Sequence, residues 1–283
     1  MATILDGRKL SKQILDDLTI ELSKLDKKPS LTVIQVGENP ASKIYVNTKK
    51  KTAERIGITS DVINYPENTS EKELLQKIEE LNNDDSVNAI LVQLPLPSHI
   101  NSKNIIQAIS PKKDVDGFHP ENVGKISIGV EPYAYPCTPK GVLRLLEEYK
   151  IDLEGKHVVI LGRSNIVGKP LSQMVLNKNA TVTVCHSYTK NLSDITKTAD
   201  ILISAVGIEN IIKKEMVKKN SVVVDVGISR SVEIGRDGKI CGDVDFEKVC
   251  EVVGFISPVP GGVGPMTIAS LMENTFVLYK LRK

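Results

Sequence analysis

The sequence of 283 residues has few aromatic residues and almost no net charge. Phenylalanine, tryptophan and tyrosine make up 4% of the residues, and 37 basic side chains against 35 acidic ones leave a formal net charge of +2. Proteins that bind nucleic acid usually carry a basic patch, often with aromatic side chains on which bases stack. Since this chain has no such block, its composition argues against a nucleic acid partner.

Long apolar runs are also missing. No run approaches the roughly 20 apolar residues that a membrane-spanning helix needs. Residues 1–15, MATILDGRKLSKQIL, have charges spread through them and lack the apolar core of a signal peptide. We therefore expect a cytoplasmic protein without a membrane partner.

The chain has four cysteines, Cys137, Cys185, Cys241 and Cys250, and none of them form a CxxC pair. His186 is the one histidine adjacent to any of these cysteines. This spacing supports neither a metal site nor a disulfide framework, so we expect free thiols. Cys137 has no neighbouring histidine to activate it, which argues against a nucleophilic role.

The length favours two domains, because 283 residues exceed one typical domain. Thr138 and Pro139 have the pattern of a helix start, and from Leu153 a pattern of strand, glycine-rich turn and helix begins again. We place the first domain at residues 1–138, completed by a C-terminal helix over residues 266–283. The second domain then covers residues 139–265.

In the first domain, three apolar runs alternate with two helical segments, after an amphipathic helix over residues 7–25. Such strand–helix–strand repeats predict parallel strands in an open three-layer α/β domain. Ser70 followed by Glu73 has the spacing of a capping box at the start of the second helical segment. The predicted strands and helices cover residues 31–36, 41–56, 61–65, 70–81 and 89–94.

The helix within residues 31–57 carries Tyr45 and Lys49 on the same face. At 100° per residue, Lys49 lies on the apolar side while Lys50 and Lys51 point to solvent. A lysine on an apolar face either extends its amine to water or gives up its proton readily enough to act as a base. The residues alone leave both interpretations open.

Ligands of open parallel sheets bind at the carboxyl ends of the strands. Gln93 ends the third predicted strand, and residues 113–119, KDVDGFH, follow in the next loop. We expect both to face one crevice, within reach of Lys49.

The second domain contains the turn GRSNIVG, residues 162–168, between a strand and a helix. At such a turn the pyrophosphate of a dinucleotide meets backbone N–H groups and a helix N-terminus, as in Rossmann-type domains. The pattern is not GxGxxG, however, so a plain turn that needs two glycines is the alternative.

The end of the next strand indicates which dinucleotide binds. NAD-binding domains usually place an acidic residue there to bind the ribose 2′-hydroxyl. This chain has Cys185, His186 and Ser187 instead, and no acidic residue before Asp194. With Arg163 nearby, a 2′-phosphate fits better, so we predict NADP, and we assign His186 no chemical role.

The Tyr45-x-x-x-Lys49 spacing also occurs in short-chain dehydrogenases, in which the two residues act on a carbonyl. In those enzymes the glycine turn precedes the tyrosine and lysine within one domain. Here Gly162 follows both residues and lies in another predicted domain, which argues against that class.

Taken together, the motifs resemble those of the bifunctional methylenetetrahydrofolate dehydrogenase/methenyltetrahydrofolate cyclohydrolase (FolD) family. The resemblance extends over essentially the whole chain, in order and with similar spacing. The motifs are YVNTK at 45–49, VQLPLP at 92–97, KDVDGFH at 113–119, PCTPKG at 136–141, GRSNIVGKP at 162–170 and PVPGGVGPMT at 258–267.

This resemblance implies two open α/β domains with an active-site cleft between them, the first a catalytic domain that binds folate and the second a Rossmann-type domain that binds NADP. It implies oxidation of 5,10-methylenetetrahydrofolate to the 5,10-methenyl form, followed by hydrolysis to 10-formyltetrahydrofolate. It also implies a homodimer formed through the nucleotide domain, and a product that supplies formyl groups for purine synthesis and initiator methionine. A non-catalytic folate- or nucleotide-binding protein is the competing class, and the intact Lys49 argues against it.

The resemblance also implies roles for single residues. Lys49 manages the proton of the hydrolysis, Gln93 hydrogen-bonds to it, and Tyr45 lines the pterin pocket. Asp116 binds the pterin amide and amino groups, whereas we assign Asp114 a structural role. The residues implied to contact substrate are Tyr45, Lys49, Val92, Gln93, Leu94, Asp116, Pro260, Gly261, Gly262, Val263 and Gly264. The residues implied to contact the cofactor are Gly162, Arg163, Ser164, Ser187 and Ile228.

Overall fold

The computed structural model describes residues 2–230 and 238–282, except for the side chain of Ala41. The chain divides into two compact units. Residues Gln13–Cys137 and Ile268–Lys283 form one, which we call the three-stranded unit; Met1–Lys12 and Thr138–Thr267 form the other, the six-stranded unit.

Strands and helices alternate along much of the chain. The strands are β1 (Thr3–Ile4), β2 (Ser30–Val36), β3 (Thr59–Tyr65), β4 (Ala89–Val92), β5 (His157–Leu161), β6 (Thr181–Cys185), β7 (Ile201–Ser204), β8 (Val222–Asp225), β9 (Ser229–Arg230), β10 (Ile240–Cys241) and β11 (Phe255–Ile256). The helices are α1 (Gly7–Ser23), α2 (Pro40–Ile56), α3 (Glu71–Asn83), α4 (Ser102–Ala108), α5 (Pro120–Ser127), α6 (Cys137–Glu148), α7 (Gly168–Leu176), α8 (Leu192–Thr196), α9 (Phe246–Cys250) and α10 (Val263–Lys280), with a short 3₁₀ helix at Lys214–Met216.

The three-stranded unit contains a parallel sheet in the order β3-β2-β4. This confirms the predicted strand–helix repeat. Apolar side chains of α3, such as Leu74 and Ile78, are buried against Ile34 and Val92 of the sheet. The predicted cap of α3 is also present, because the Ser70 hydroxyl accepts the backbone N–H of Glu73 at 3.2 Å.

The six-stranded unit contains a sheet in the order β1-β11-β8-β7-β5-β6, in which all pairs are parallel. The Rossmann-type pattern predicted for the second half of the chain is thus confirmed. Among the described residues, β6 pairs only with β5 and so forms one edge of the sheet.

The N-terminus differs from the prediction, which assigned residues 1–12 to the first domain. Thr3 and Ile4 pair with Phe255 and Ile256, so the N-terminus groups with the six-stranded unit. A strand of two residues has no alternation from which it could be recognised in the sequence.

Two predictions concern segments in the last fifth of the chain. The sequence predicts a hairpin over residues 232–240, with its turn at Arg-Asp-Gly. Most of this segment falls on residues 231–237, which lie outside the described residues, although β9 and β10 on either side pair antiparallel. The last helix, α10, begins at Val263 rather than at residue 266. None of the described helices is both long and apolar enough to cross a membrane.

Candidate active site

Helix α2 positions the two residues that the sequence singled out first. It starts at a cap formed by Asn39, whose side chain accepts the backbone N–H of Ser42, and it ends at Gly57 in the left-handed conformation at φ 92°. Between these two helix ends, Lys49 is half-buried and Tyr45 is 39% exposed. Partial burial raises the pKa of the Tyr45 phenol.

Lys49 and Gln93 are joined by a direct hydrogen bond, in which the lysine Nζ donates to the glutamine Oε1 at 2.9 Å. Gln93 is itself fixed, because its Nε2 donates to the carbonyl of Leu94 at 2.7 Å and its backbone N–H donates to Ile34 at 2.8 Å. The amide oxygen is therefore turned towards the lysine. A lysine that merely extended its amine to water would not need this partner.

Val92 and Leu94, on either side of Gln93, differ in exposure. Val92 is buried in the apolar cluster of the three-stranded unit, so its side chain belongs to the core. Leu94 is half-buried and precedes a cis peptide bond to Pro95.

The segment of residues 113–119 is held beside β4. Its backbone pairs with Ile90, whose N–H donates to the carbonyl of Lys113 at 2.7 Å. Lys113 is buried, and its Nζ donates to the carbonyls of Leu81 and Asp84 at 2.6 and 2.7 Å. Burial lowers the pKa of this lysine to about 8. Lys113 thus anchors the start of the segment to the end of α3.

Asp114 organises the turn that follows. Its buried carboxylate accepts the backbone N–H groups of Gly117 and His119 at 3.1 and 2.7 Å, and the Asn122 side chain at 3.0 Å. Burial raises the pKa of Asp114 to about 7. These bonds to its own loop agree with the structural role predicted for it.

Asp116 lies on the same turn but faces the lysine. Burial raises the pKa of its carboxyl group, while the positive charge of Lys49 and a hydrogen bond from Cys137 act in the opposite direction. Asn274 of α10 supports this arrangement, since its Nδ2 donates to the carbonyl of Val115 at 2.9 Å and also contacts the Cys137 sulfur at 3.5 Å. Neither Cys137 nor Asn274 was predicted as a supporting residue; an asparagine within the largely apolar helix α10 was the available signal for Asn274.

The glycine turn of the six-stranded unit depends on close backbone packing. Gly162 has a φ of +119°, and a Cβ there would lie 2.5 Å from the carbonyl oxygen of Ala205. A Cβ on Gly168 would lie 2.1 Å from the carbonyl oxygen of Gly162. Within the turn, Arg163 and Ser164 are exposed. The two glycines let α7 start directly behind β5, as a dinucleotide-binding turn requires.

The other predicted cofactor residues lie at the carboxyl ends of β6 and β8. Ser187 follows β6 and is exposed, and Ile228 follows β8 and is 46% exposed. Both therefore lie at the same edge of the sheet as the turn that contains Gly162, because the strands are parallel.

A pair of buried carboxylates organises this edge. Asp243 accepts the Ser204 hydroxyl and the backbone N–H groups of Val206 and Ile208, each at 2.8 Å. Asp225 accepts the backbone N–H groups of Asp243 itself at 3.0 Å, and of Gly227 and Val244 at 2.9 Å. The loops after β7 and β8 are thus fixed by side chains beneath them, and this pair was not predicted from the sequence.

The glycines within residues 258–264 are required for different physical reasons. A Cβ on Gly262 would lie 2.7 Å from the carbonyl oxygen of Pro258, whereas a Cβ on Gly264 would meet nothing within 4 Å. Gly261 has a φ of +114°. Pro260 is exposed and Val263 is buried. Only part of this glycine pattern leaves room for a ligand, and Gly262 serves the packing of the loop.

Neither the cysteines nor the acidic residues indicate a metal site. All four cysteines are free, Cys137 and Cys185 being buried and Cys241 and Cys250 half-buried. Within residues 2–230 and 238–282, no cluster of three or more histidine, cysteine or acidic side chains suits a metal ion.

The fold and these residues define an α/β enzyme that binds a dinucleotide. Comparison with known proteins specifies it further. A family model described as the catalytic domain of tetrahydrofolate dehydrogenase/cyclohydrolase matches residues 5–116, and the model of its NAD(P)-binding domain matches residues 136–283.

Full-length relatives agree with these matches. The bifunctional protein FolD of Halalkalibacterium halodurans is 54% identical over 277 residues, which are 97% of each chain. The crystal structure of the bifunctional methylenetetrahydrofolate dehydrogenase/cyclohydrolase of Campylobacter jejuni has a TM-score of 0.96 at 51% identity, covering 100% of both chains. That of Trypanosoma brucei, solved with NADP and an inhibitor, has a TM-score of 0.95 at 35% identity, covering 99% of this chain and 98% of the other.

The chain therefore belongs to the tetrahydrofolate dehydrogenase/cyclohydrolase family. The resemblance seen in the sequence motifs is confirmed. The two activities of this enzyme are the oxidation of methylenetetrahydrofolate and the hydrolysis of methenyltetrahydrofolate.

The carboxylate pair predicts how stability depends on pH. Burial, with a smaller contribution from the negative charge of Asp243, raises the pKa of Asp225 to about 7, although the backbone N–H groups that Asp225 accepts act in the opposite direction. This pKa is well above that of an exposed carboxyl group. The folded state then binds more protons than the unfolded state between about pH 4 and pH 7, so this group makes stability fall as pH rises through that window. Asp225→Asn should flatten that dependence, although it should be less stable overall because it loses an acceptor oxygen.

The measurement is the free energy of unfolding in urea at several pH values, for both proteins. Asp114 has a similarly raised pKa, but it is present in both proteins and cancels in the comparison. Parallel curves for the wild type and Asp225→Asn would contradict the prediction.

Proposed function

We propose that this chain oxidises 5,10-methylenetetrahydrofolate with NADP as its preferred cofactor, and that Lys49 manages the proton of the subsequent hydrolysis. The observation that carries the proposal is the hydrogen bond between Lys49 and Gln93 at 2.9 Å. The family membership supports the two reactions, and the assignment of residues is our inference.

The oxidation needs geometry more than acid–base chemistry. The hydride leaves a carbon bonded to two nitrogens, and a nitrogen lone pair stabilises the cation that forms. No proton acceptor of the kind used by alcohol dehydrogenases is therefore required. The role of the protein in this step is to hold the pterin, and we assign that role to Tyr45 and Asp116.

Asp116 suits the pterin because an ionised carboxylate accepts two parallel hydrogen bonds from an N–H/NH₂ edge. Burial opposes the ionised form, and the charge of Lys49 favours it. Lys49 thus also supports binding of the substrate.

The hydrolysis requires proton transfer. Water adds to the methenyl carbon and loses a proton, which leaves a hydroxyl group on that carbon. The bond from this carbon to N5 then breaks as N5 gains a proton and the hydroxyl loses its proton to become the formyl C=O, so one proton is released overall. The Lys49 amine is placed to exchange these protons. Gln93 positions the amine by accepting its hydrogen bond on an amide oxygen, which does not take up the proton.

NADP preference is inferred from the edge of the nucleotide sheet. Arg163 and Ser187 are both exposed at the carboxyl ends of neighbouring strands, and Cys185 and His186 stand where NAD-binding domains usually carry an acid. A guanidinium group binds a phosphate through two parallel hydrogen bonds.

A competing hypothesis is a binding protein that kept the fold and lost catalysis. Such a protein would have no need to keep a half-buried lysine hydrogen-bonded to a fixed amide, since burying a charged amine is costly. The paired Lys49 and Gln93 therefore favour the enzyme.

Lys49→Met should separate the two activities. The hydrolysis should fall by about 10²–10⁴, the usual contribution of a general acid or base. The oxidation should persist in part with a higher KM for the folate, because Tyr45 and Asp116 remain while Asp116 loses a favourable charge. Methenyltetrahydrofolate, followed by its absorbance, should accumulate in the mutant but not in the wild type.

The matched control is Lys51→Met, which removes an exposed lysine from the same helix. It should hydrolyse methenyltetrahydrofolate as the wild type does. A Lys49→Met enzyme that hydrolyses added methenyltetrahydrofolate at the wild-type rate would exclude Lys49 from the reaction.

Arg163→Ala should lower kcat/KM with NADP much more than kcat/KM with NAD. Losing a hydrogen bond to a charged group costs about 1.5–3 kcal/mol, or about tenfold to a hundredfold in kcat/KM. The measurement is the ratio of kcat/KM with NADP to that with NAD. Equal losses with both cofactors would show that Arg163 binds the part that they share.

We further propose a cytoplasmic homodimer, joined through the six-stranded unit, whose product supplies formyl groups for purine synthesis and initiator methionine. The edge strand β6 supports this assembly, since its residues Thr181–Val184 are at most half-buried in the single chain and an open edge is suited to pairing. Sedimentation velocity should give the mass of two chains. A monomer at micromolar concentration would exclude the dimer.

A further inference from the structure

An exposed aromatic residue stands beside the predicted phosphate-binding arginine. Arg163 follows β5 and Tyr188 follows β6, and these strands pair in parallel with Leu161 opposite Cys185. The guanidinium carbon of Arg163 lies 5.6 Å from the centre of the Tyr188 ring. This distance is within the range of a cation–π contact.

The ring of Tyr188 is held by a tight turn. The backbone N–H of Thr189 donates to the carbonyl of His186, and the backbone N–H of His186 donates to the Thr189 hydroxyl, both at 2.8 Å. Ser187 and Tyr188 are the two central residues of this turn. The Tyr188 N–H also donates to the His186 ring at 3.2 Å, and the two rings meet edge to face at 6.2 Å.

Tyr188 contributes little to the core, because 79% of its surface is exposed. An exposed aromatic side chain in a well-fixed turn is therefore available for another task. An exposed arginine carries about 2 kcal/mol of rotamer entropy, part of which is lost whenever it binds a ligand. Contact with a ring restricts the arginine in advance and leaves the N–H groups at its edge free for an acceptor.

We infer that Tyr188 is a positioning residue for cofactor selection, whose ring holds the Arg163 guanidinium where it meets the 2′-phosphate of NADP beside Ser187. The inference rests on the proposed role of Arg163 in NADP binding. The ring, and not the phenol hydroxyl, performs this task. NAD lacks the 2′-phosphate, so it gains nothing from the contact.

The test compares Tyr188→Ala and Tyr188→Phe by the ratio of kcat/KM with NADP to that with NAD. A cation–π contact at an exposed site is worth about 0.5–1 kcal/mol, which is about twofold to fivefold. Tyr188→Ala should lower the ratio by this factor, through a higher KM for NADP at nearly unchanged kcat. Tyr188→Phe keeps the ring and should keep the ratio. Leu176→Ala, an exposed change at the end of α7, serves as the control and should leave the ratio unchanged.

The double variant Arg163→Ala with Tyr188→Ala separates this inference from the proposed function. Once Arg163 is absent, removal of the ring should not lower the ratio further. A large effect of Arg163→Ala on the ratio, with none of Tyr188→Ala, would overturn the inference and leave the proposed role of Arg163 intact. Equal effects of Tyr188→Ala on NADP and NAD would show that the ring contacts the shared adenosine, and would also overturn it. If Arg163→Ala itself does not change the ratio, both the proposed role of Arg163 and the inference on Tyr188 are wrong.

Discussion

Parallel strand pairing is the constraint on which the placement of the functional residues depends. Parallel strands need a crossover helix between them, so the carboxyl ends of all strands in a sheet lie at the same edge. In the three-stranded unit this rule brings Gln93 to the end of β4, within reach of Lys49 on the crossover helix α2. In the six-stranded unit it brings Arg163 and Tyr188 together, although a helix and a strand lie between them in sequence.

Loops follow the carboxyl ends of the strands in both sheets, and buried carboxylates fix these loops. Asp114 holds the turn that presents Asp116, and Asp243 holds the loop after β7. In each case an acid that does not itself face the ligand site accepts backbone N–H groups that the loop would otherwise leave unpaired. Such bonds favour the ionised acid, but burial favours the neutral acid and has the larger effect on the pKa of Asp114 and Asp225.

Elements with a periodic signal or a specific motif were predictable from the sequence, and elements defined by contacts across the chain were not. The strands and helices from β2 to β4 follow from alternating apolar runs. Helical phase and strand order place Lys49 and Gln93 at one crevice, whereas the hydrogen bond between them was implied only by the family resemblance. Strand β1 is too short to show any pattern. Asn274 was not recognised as a support of the 113–119 segment, because its partner Val115 lies 159 positions away and no local rule connects the two. Tyr188 was not predicted because the end of β6 was interpreted only by its lack of an acidic residue, whereas an aromatic residue acts there by holding a charge that comes from another loop.

The choice of an amide at position 93 has a physical reason in the proposed hydrolysis. Lys49 must remain in place while its proton moves, and it must also supply the positive charge that favours an ionised Asp116. The oxygen of Gln93 accepts a hydrogen bond from the amine whether the amine is charged or neutral, because both forms are donors. A carboxylate in the same place would bind the charged amine far more strongly than the neutral one and would hold the proton on the lysine. Since the Gln93 Nε2 is engaged by the Leu94 carbonyl, the amide cannot turn its nitrogen towards Lys49 without losing that bond. The geometry thus fixes the position of the amine without fixing its proton.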